Sequence, residues 1–352
     1  MSTPRLPRGP RLSRRSLLAT GGALGAAALV AGCGDDDATN SSGSGDDGGD
    51  AAFRFTDDRG ETVTLDAVPE RVVAFIGSAA VLKDYGIDCT GVFGPTTGEN
   101  GEPDVQAGDV PVDRVTILGQ AWGEFNVEDY VGLEPQLLVT NMFEPGALWY
   151  VPEESSEEIT GFAPSVGILV APTGDHPDLR LTTPLERYAA LAEALDADMT
   201  ATAVTEARTR FENAAESLRR AARDNPDITV LACSAAADLF YASDPSASCD
   251  LAYFKDLGVS LVTPDELDEG GFFQSLSWEN ADAYPADVLL LDNRSVALQP
   301  DALTDKPTWG RLPAVRADQI TPWNSEPRYS YAGCAPLLEQ LAEAIRTARK
   351  VS

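Results

Sequence analysis

The sequence predicts an α/β protein of two Rossmann-like lobes with mainly parallel sheets, joined by one long backbone α-helix. Three observations predict it. Short apolar runs recur without the alternation of a half-exposed strand, as strands covered on both faces require. Each run ends in a polar or small residue, where the chain must turn. Two sets of such runs flank a long, well-punctuated helical region.

Residues 1–32 precede the folded part. Ser13-Arg14-Arg15-Ser16-Leu17-Leu18 sets a twin arginine before an apolar run that ends at Ala31-Gly32-Cys33. The run is about 15 residues long, short of the ~20 that a bilayer-spanning helix needs. It reads as a twin-arginine export signal, and the small residues before Cys33 predict cleavage there and acylation of its thiol. Residues 33–52 hold almost nothing that could bury a core and read as a flexible acidic linker. Gly43 to Gly48 matches G-x-G-x-x-G in letters, but no strand precedes it and no helix follows, so it carries no nucleotide site.

The first lobe is expected over residues 53–198. Arg71–Ile76 reads as a strand that ends at Gly77-Ser78 and leads into a helix over Ala79–Tyr85, and Gln136–Thr140 reads as a second strand. Thr183-Pro184-Leu185-Glu186 combines an N-cap, a proline at the first helical position and a capping-box glutamate. An inter-lobe helix follows over 199–225, with Val204, Ala207, Phe211, Ala214, Leu218 and Ala221 on one face and Asn225-Pro226 as its stop. At ~1.5 Å per residue it would span about 39 Å, enough to bridge two lobes. Ile228–Ala232 and Asp287–Leu291 are the strands that mark the second lobe, 226–352.

Charge and side-chain inventory exclude several functions. The chain has 26 basic and 56 acidic groups, and all five basic residues of 1–32 leave with the signal. So acidic a field makes nucleic acid and anionic membrane surfaces poor partners. His176 is the single histidine, in the loop Gly174-Asp175-His176-Pro177, and there is no C-x-x-C, so a zinc or manganese site is not expected. No G-x-S-x-G or S-x-x-K nucleophile motif and no P-loop occurs, which argues against an enzyme. An exported chain permits disulfides among Cys89, Cys233, Cys249 and Cys334, of which at most one, within the second half, is expected.

Several segments carry a family resemblance. Phe55-Thr56-Asp57-Asp58-Arg59-Gly60 and Val68-Pro69-Glu70-Arg71-Val72-Val73 look like the opening of iron-siderophore ABC-transporter binding proteins. Leu133-Glu134-Pro135-Gln136-Leu137-Leu138 resembles their L-x-P-D-L segment, with Gln136 in place of Asp. Leu276-Ser277-Trp278-Glu279-Asn280 with Ala286-Asp287-Val288-Leu289, and then Trp309 with Leu312-Pro313-Ala314-Val315, resemble second-lobe segments. The resemblance covers about residues 53–350 and implies the class III periplasmic-binding-protein fold, a lipid-anchored monomer at the outer face of the cytoplasmic membrane. It also implies a ferric siderophore as transported ligand, no intrinsic cofactor, and a permease with cytoplasmic ATPases as partner. Haem, cobalamin or another bulky solute stay open as alternatives on the same fold. Such proteins dock through one acidic residue per lobe. Glu279 matches in the second lobe, while Ala80 stands where the first lobe's glutamate is expected, so Asp84, one turn on, is the substitute.

Ligands of open α/β sheets bind beyond the carboxyl ends of the strands. A bulky ferric chelate suits aromatic walls with a few arginines. The candidates are Trp122, Asn141, Phe143, Trp149 and Tyr150 in the first half. Phe240, Tyr241, Phe273, Arg294, Trp323, Arg328 and Tyr329 are those of the second. Trp278 and Trp309 read as core.

Overall fold

The computed structural model describes residues 51–352 apart from Glu99 and Pro307. The segments read as an export signal and as a linker, with Cys33, lie outside the described residues up to residue 50. The folded part opens with a hairpin, β1 (Phe53–Thr56) and β2 (Thr62–Leu65), whose alternating buried and exposed residues cover the first lobe from outside. Arg187 holds this hairpin: its guanidinium bonds Asp58 and Thr56 and lies 4.7 Å from the centre of the Phe55 ring.

The first lobe contains β3 (Val72–Phe75), α1 (Ile76–Asp84), β4 (Gly91–Phe93), β5 (Thr116–Ile117), α2 (Val127–Gly132), β6 (Leu137–Met142), α3 (Ser156–Phe162), β7 (Ser165–Leu169) and α4 (Thr182–Ala194). Its five strands are all parallel, in the order β5-β4-β3-β6-β7. Every residue of β3, β4, β6 and β7 is buried, which is why their sequences read as unbroken apolar runs. The order reverses at β3, so a crevice opens beyond the ends of β3 and β6. A buried polar chain closes this lobe: the Ser78 and Tyr188 hydroxyls share a hydrogen bond of 2.7 Å, and Tyr188 donates to Asn141 Oδ1 at 2.5 Å. α4 starts at Thr182 with no side-chain cap, so the capping box expected at Thr183 does not form.

The chain crosses between the lobes in α5 (Thr202–Asp224), 23 residues long and so about 35 Å. Phe211, Ala214, Leu218 and Ala221 are buried on one face, as the helical spacing predicts. The second lobe comprises β8 (Thr229–Ala235), β9 (Leu239–Ser243), α6 (Cys249–Asp256), β10 (Ser260–Leu261), β11 (Phe273–Ser277), β12 (Val288–Asp292), α7 (Pro300–Leu303), α8 (Pro313–Arg316), β13 (Ile320–Trp323) and α9 (Tyr331–Thr347). α9 packs along α5, so the two helices form one spine. Here the sheet is mixed. β10, β12 and β13 run parallel to β8, but β9 and β11 add an antiparallel edge in the order β11-β9-β8-β12-β13. Asp287, fully buried before β12, ties down the chain end by accepting bonds from the Val351 and Ser352 amides, the Thr229 amide and Lys350 Nζ.

Candidate functional site

The site is built from the segments that leave the carboxyl ends of the strands. After β6 the chain loops out and returns, so that the Trp149 amide donates to Asn141 O at 2.9 Å and Thr140 Oγ1 donates to Trp149 O at 2.8 Å. The backbone of Trp149 is thus clamped at both ends by the strand it follows. Tyr150 comes next at φ 61°, a left-handed conformation costly for a side-chain-bearing residue, and its ring stacks on Phe75 with centroids 5.4 Å apart. Asn141 therefore works from inside β6: it is buried, bonded to Tyr188, and positions Trp149 rather than lining the cavity.

Two adjoining cavities result. The inner one, about 400 Å³, lies between the lobes. Phe143 and Trp149 form its first-lobe wall, and Tyr241, Phe272, Phe273, Trp323 and Arg294 its second-lobe wall. The outer one, about 610 Å³, is lined by Trp122, Tyr150, Glu144 and Glu153, and shares Phe143, Trp149 and Phe272 with the inner. The aromatic rings contact one another at edges and tilts rather than filling the space: Trp122 to Trp149 at 4.7 Å, Phe143 to Trp149 at 4.4 Å, Tyr241 to Phe273 at 4.9 Å between centroids. Phe272 was not among the sequence candidates. Its place beside Phe273, after the Gly270-Gly271 turn, is the signal that could have found it.

Carboxylates dominate the polar part. Glu326 is nearly buried and accepts from Gln106 Nε2 at 2.9 Å, from Trp149 Nε1 at 3.0 Å and from Arg294 Nη1, so one side chain joins both lobes. Arg294 also bonds Asp292, with Nη2 at 2.8 Å from Oδ2. Burial works against the Arg294 charge, but Glu326 and Asp292 more than offset it and hold the guanidinium protonated. Burial, and then the Glu326 charge, push the Tyr150 phenol up to about 12. Arg294 thus reaches the cavity, as expected, but with its Nε, Nη1 and Nη2 each already bonded to one of two carboxylates.

Arg328 is not in the cavity. It bridges the lobes elsewhere, 3.0 Å from Asp84 and 3.3 Å from Asp109, with Ser330 Oγ donating to Asp84 as well. Asp84 is thus turned inward, where burial raises its pKa against the opposing effect of Arg328, and offers no surface for docking. Gly108 allows this close approach: a Cβ there would stand 2.6 Å from the Arg328 side chain, and its φ of 52° suits glycine. Tyr329 is buried among Cys249, Asp250 and Cys334, away from both cavities. Trp323 touches the inner cavity but its indole donates inward to Asp250 at 2.7 Å. Phe240, Trp278 and Trp309 are core, and His176 and Glu279 are exposed. Glu128 escaped the sequence reading. It is exposed in the first turn of α2, nine residues before β6, as Glu279 is nine residues before β12.

Cys89, Cys233, Cys249 and Cys334 are all free thiols. Among the described residues no group of acidic, histidine or cysteine side chains is arranged to hold a metal ion, and no helix is long and apolar enough to cross a membrane.

The fold agrees with the comparison to known proteins. A family model described as periplasmic binding protein matches residues 90–327. The chain is a periplasmic binding protein. DesE, a ferric-siderophore receptor protein from Streptomyces coelicolor, is 52% identical to it, with 85% of this chain and all of that chain covered and a TM-score of 0.81. The siderophore periplasmic binding protein from the fuscachelin gene cluster of Thermobifida fusca is 23% identical, with 80% of this chain and 97% of that one covered at a TM-score of 0.56. The triscatecholate siderophore binding protein FeuA from Bacillus subtilis is 15% identical, with 83% and 97% covered at 0.59, and these two more distant matches speak to the fold. No curated protein matches the sequence. In this binding protein the expected α/β architecture with a long inter-lobe helix is what the structure has.

Proposed function

We propose that the protein is a lipid-tethered extracytoplasmic receptor that binds a ferric siderophore between its lobes and hands it to an ABC permease. What carries the reading is an aromatic cavity at the strand ends, in a chain 52% identical to a ferric-siderophore receptor along that receptor's full length. Twin-arginine export and acylation at Cys33 complete it: the chelate is captured at the outer face of the cytoplasmic membrane, where the permease stands. Phe143, Trp149, Tyr241 and Phe273 are the inner ligand contacts, with Arg294 and Trp323 behind them and Trp122 and Tyr150 at the outer cavity. The receptor works as a monomer, carries no cofactor of its own and performs no chemistry on its cargo.

For docking, Glu279 and Glu128 are the two acidic contacts. Both are exposed and stand at equivalent distances before a central strand of their lobes, whereas Asp84 is engaged with Arg328. Tryptophan fluorescence titration with ferric hydroxamates, ferric catecholates, ferric citrate, haem and cobalamin tests the receptor function. Saturable quenching by an iron chelate, weakened at least tenfold in Trp149→Ala, is expected; silence towards every ferric chelate refutes it. For docking, Glu128→Arg and Glu279→Arg should abolish stimulation of the permease ATPase while chelate binding persists.

A further inference from the structure

Glu279 stands close behind a wall of the inner cavity, and a short hydrogen-bonded chain joins the two. Ser234, Ala235 and Ala236, at the end of β8, line that cavity. β8 stops at Ala235 and β9 starts at Leu239, so Ala236–Asp238 is a tight turn, closed by the Ala236 amide donating to Leu239 O at 2.8 Å. Two side chains hold the carbonyls of this turn. Trp278 Nε1 donates to Ala236 O at 3.1 Å. Lys306 Nζ donates to Ala237 O and lies 5.5 Å from the centre of the Trp278 ring. The next residue along the chain from Trp278 is Glu279.

The exposed carboxylate of Glu279 is aimed from this frame. Bonds from its own amide and from the Ser277 hydroxyl hold it below the usual glutamate range. Asn280 Nδ2 donates to the same Ser277 oxygen at 3.2 Å, and Ser277 pairs with Leu239, the residue that closes the turn. Trp278 is buried against Phe240, with ring centroids 5.8 Å apart. Both neighbours of Glu279 in that direction, Ser277 and Trp278, are therefore fixed to the turn that lines the cavity.

Water reaches the Ser234–Ala236 face while the cavity is empty. A bound molecule replaces that water, and hydrogen bonds gain strength as the surrounding dielectric falls. The indole and ammonium bonds to the turn then tighten, and the segment that bears Glu279 is ordered before any partner arrives. Ordering imposed by a first ligand lowers the entropic cost of the next binding event, so the two cooperate without a change of fold.

We propose that the Ala236–Asp238 turn, with Trp278 and Lys306, reports occupancy of the inner cavity to Glu279, so that the loaded receptor presents this acid in a more ordered form than the empty one. Trp278 and Lys306 are positioning residues, since neither lines the cavity. The inference rests on the reading of Glu279 as a permease contact and adds how its presentation is regulated.

The test is amide hydrogen exchange of the purified full chain, followed by mass spectrometry, with and without a ferric trishydroxamate, a ferric triscatecholate or ferric citrate. Whichever of these binds saturably should slow exchange across Ser277–Ala281 about fivefold, the order of one strengthened hydrogen bond. Trp278→Phe keeps a ring against Phe240 and removes the donor, while Lys306→Met removes the ammonium outside the core. Both variants should bind the chelate within about twofold of wild type, and in both the slowing should disappear. In vesicles that hold the permease, the excess ATPase stimulation by loaded over empty receptor should shrink about threefold in Lys306→Met. Equal exchange across Ser277–Ala281 with and without bound chelate would overturn the inference and leave the receptor in place. Undiminished slowing in Lys306→Met and Trp278→Phe would do the same, because Trp278 would then serve packing alone. Absence of saturable binding by every ferric chelate would remove the receptor reading itself, and this inference with it.

Discussion

Glu326 is the side chain on which most of the cleft depends, and Glu326→Gln is the change that exposes this. Its carboxylate receives Gln106 and Trp149 from the first lobe and Arg294 from the second. Hydrogen bonds to a charged acceptor contribute roughly 1.5–3 kcal/mol each, against about 0.5–1.5 for neutral pairs, so neutralising the acceptor should weaken two inter-lobe bonds by ~1 kcal/mol apiece. A glutamine amide has one accepting oxygen and one donating nitrogen, and all three partners are donors. At least one donor is then left facing another, at a further cost of about 1 kcal/mol. Arg294 keeps Asp292, so the loss of the ion pair itself is partial. The sum is about 3 kcal/mol. At ~2 °C per kcal/mol for a protein of this size, Tm should fall by about 6 °C in a thermal scan followed by circular dichroism. Glu279→Gln, at an exposed site with no partner of this kind, serves as control and should leave Tm in place. A Glu326→Gln melting curve that overlies the wild type would refute the argument, because it would mean that the shared carboxylate contributes nothing to holding the lobes together.

Three further outcomes follow from buried ionisable groups. Burial would raise the pKa of Asp287, but the Thr229, Val351 and Ser352 amides and Lys350 hold it well below the usual range. Its stabilisation is thus present above the unfolded pKa of about 4 and lost as pH falls below it; Asp287→Ala should cost ~3 kcal/mol in urea unfolding at pH 7 and progressively less towards pH 2. Asp250 is the opposite case: burial pushes it up to about 6 despite the bond from Trp323. Its contribution is complete below about pH 4 and lost as pH rises through 6, so Asp250→Asn should raise stability by about 1–2 kcal/mol at pH 8 and by nothing at pH 4. Burial also raises the Cys233, Cys249 and Cys334 thiols, so none of the three should react with iodoacetamide at pH 8 in the native protein, and all three should once it is unfolded in urea.

What could be read from the sequence was what local pattern encodes. The unbroken apolar runs of β3, β6, β8 and β12 and the buried face of α5 follow from periodicity alone, and the strand-end rule brought Phe143, Trp149, Tyr241, Phe273 and Arg294 to the inner cavity. The misreadings involve distant partners. The antiparallel edge was not anticipated, because β9 pairs with β11 across about thirty intervening residues that include a helix, not across a short hairpin turn. Asn141 was read as a loop residue because β6 was ended at Thr140; the strand continues to Met142, which turns Asn141 towards Tyr188. Arg294 and Arg328 looked available because the carboxylates that occupy them are remote or unremarkable in sequence. Asp84 lies 244 residues from Arg328, and in a chain with 56 acidic groups no spacing singles it out. Glu128 was legible after all, in the spacing it shares with Glu279.

The arrangement of supports around the cleft bears on how binding would be distributed between rate constants. α5 crosses between the lobes once and lies along α9, while Arg328 and Glu326 tie the lobes at two points on the short segment after β13. Trp149 is fixed at its amide, its carbonyl and its indole nitrogen before any ligand arrives. Walls ordered in advance need little further ordering on association, so the entropic cost falls mainly on the ligand. One group is already engaged: the guanidinium of Arg294 donates through Nε, Nη1 and Nη2 to Asp292 and Glu326, so swinging it towards an incoming ligand oxygen would cost one of those bonds. Arg294 uses Oε1 of Glu326 while Trp149 and Gln106 use Oε2, so that exchange leaves the indole in place. The carboxylate that holds the lobes together thus keeps doing so during capture, and substitutions at Glu326, which weaken the ordered wall around Trp149, should alter the dissociation rate more than the association rate.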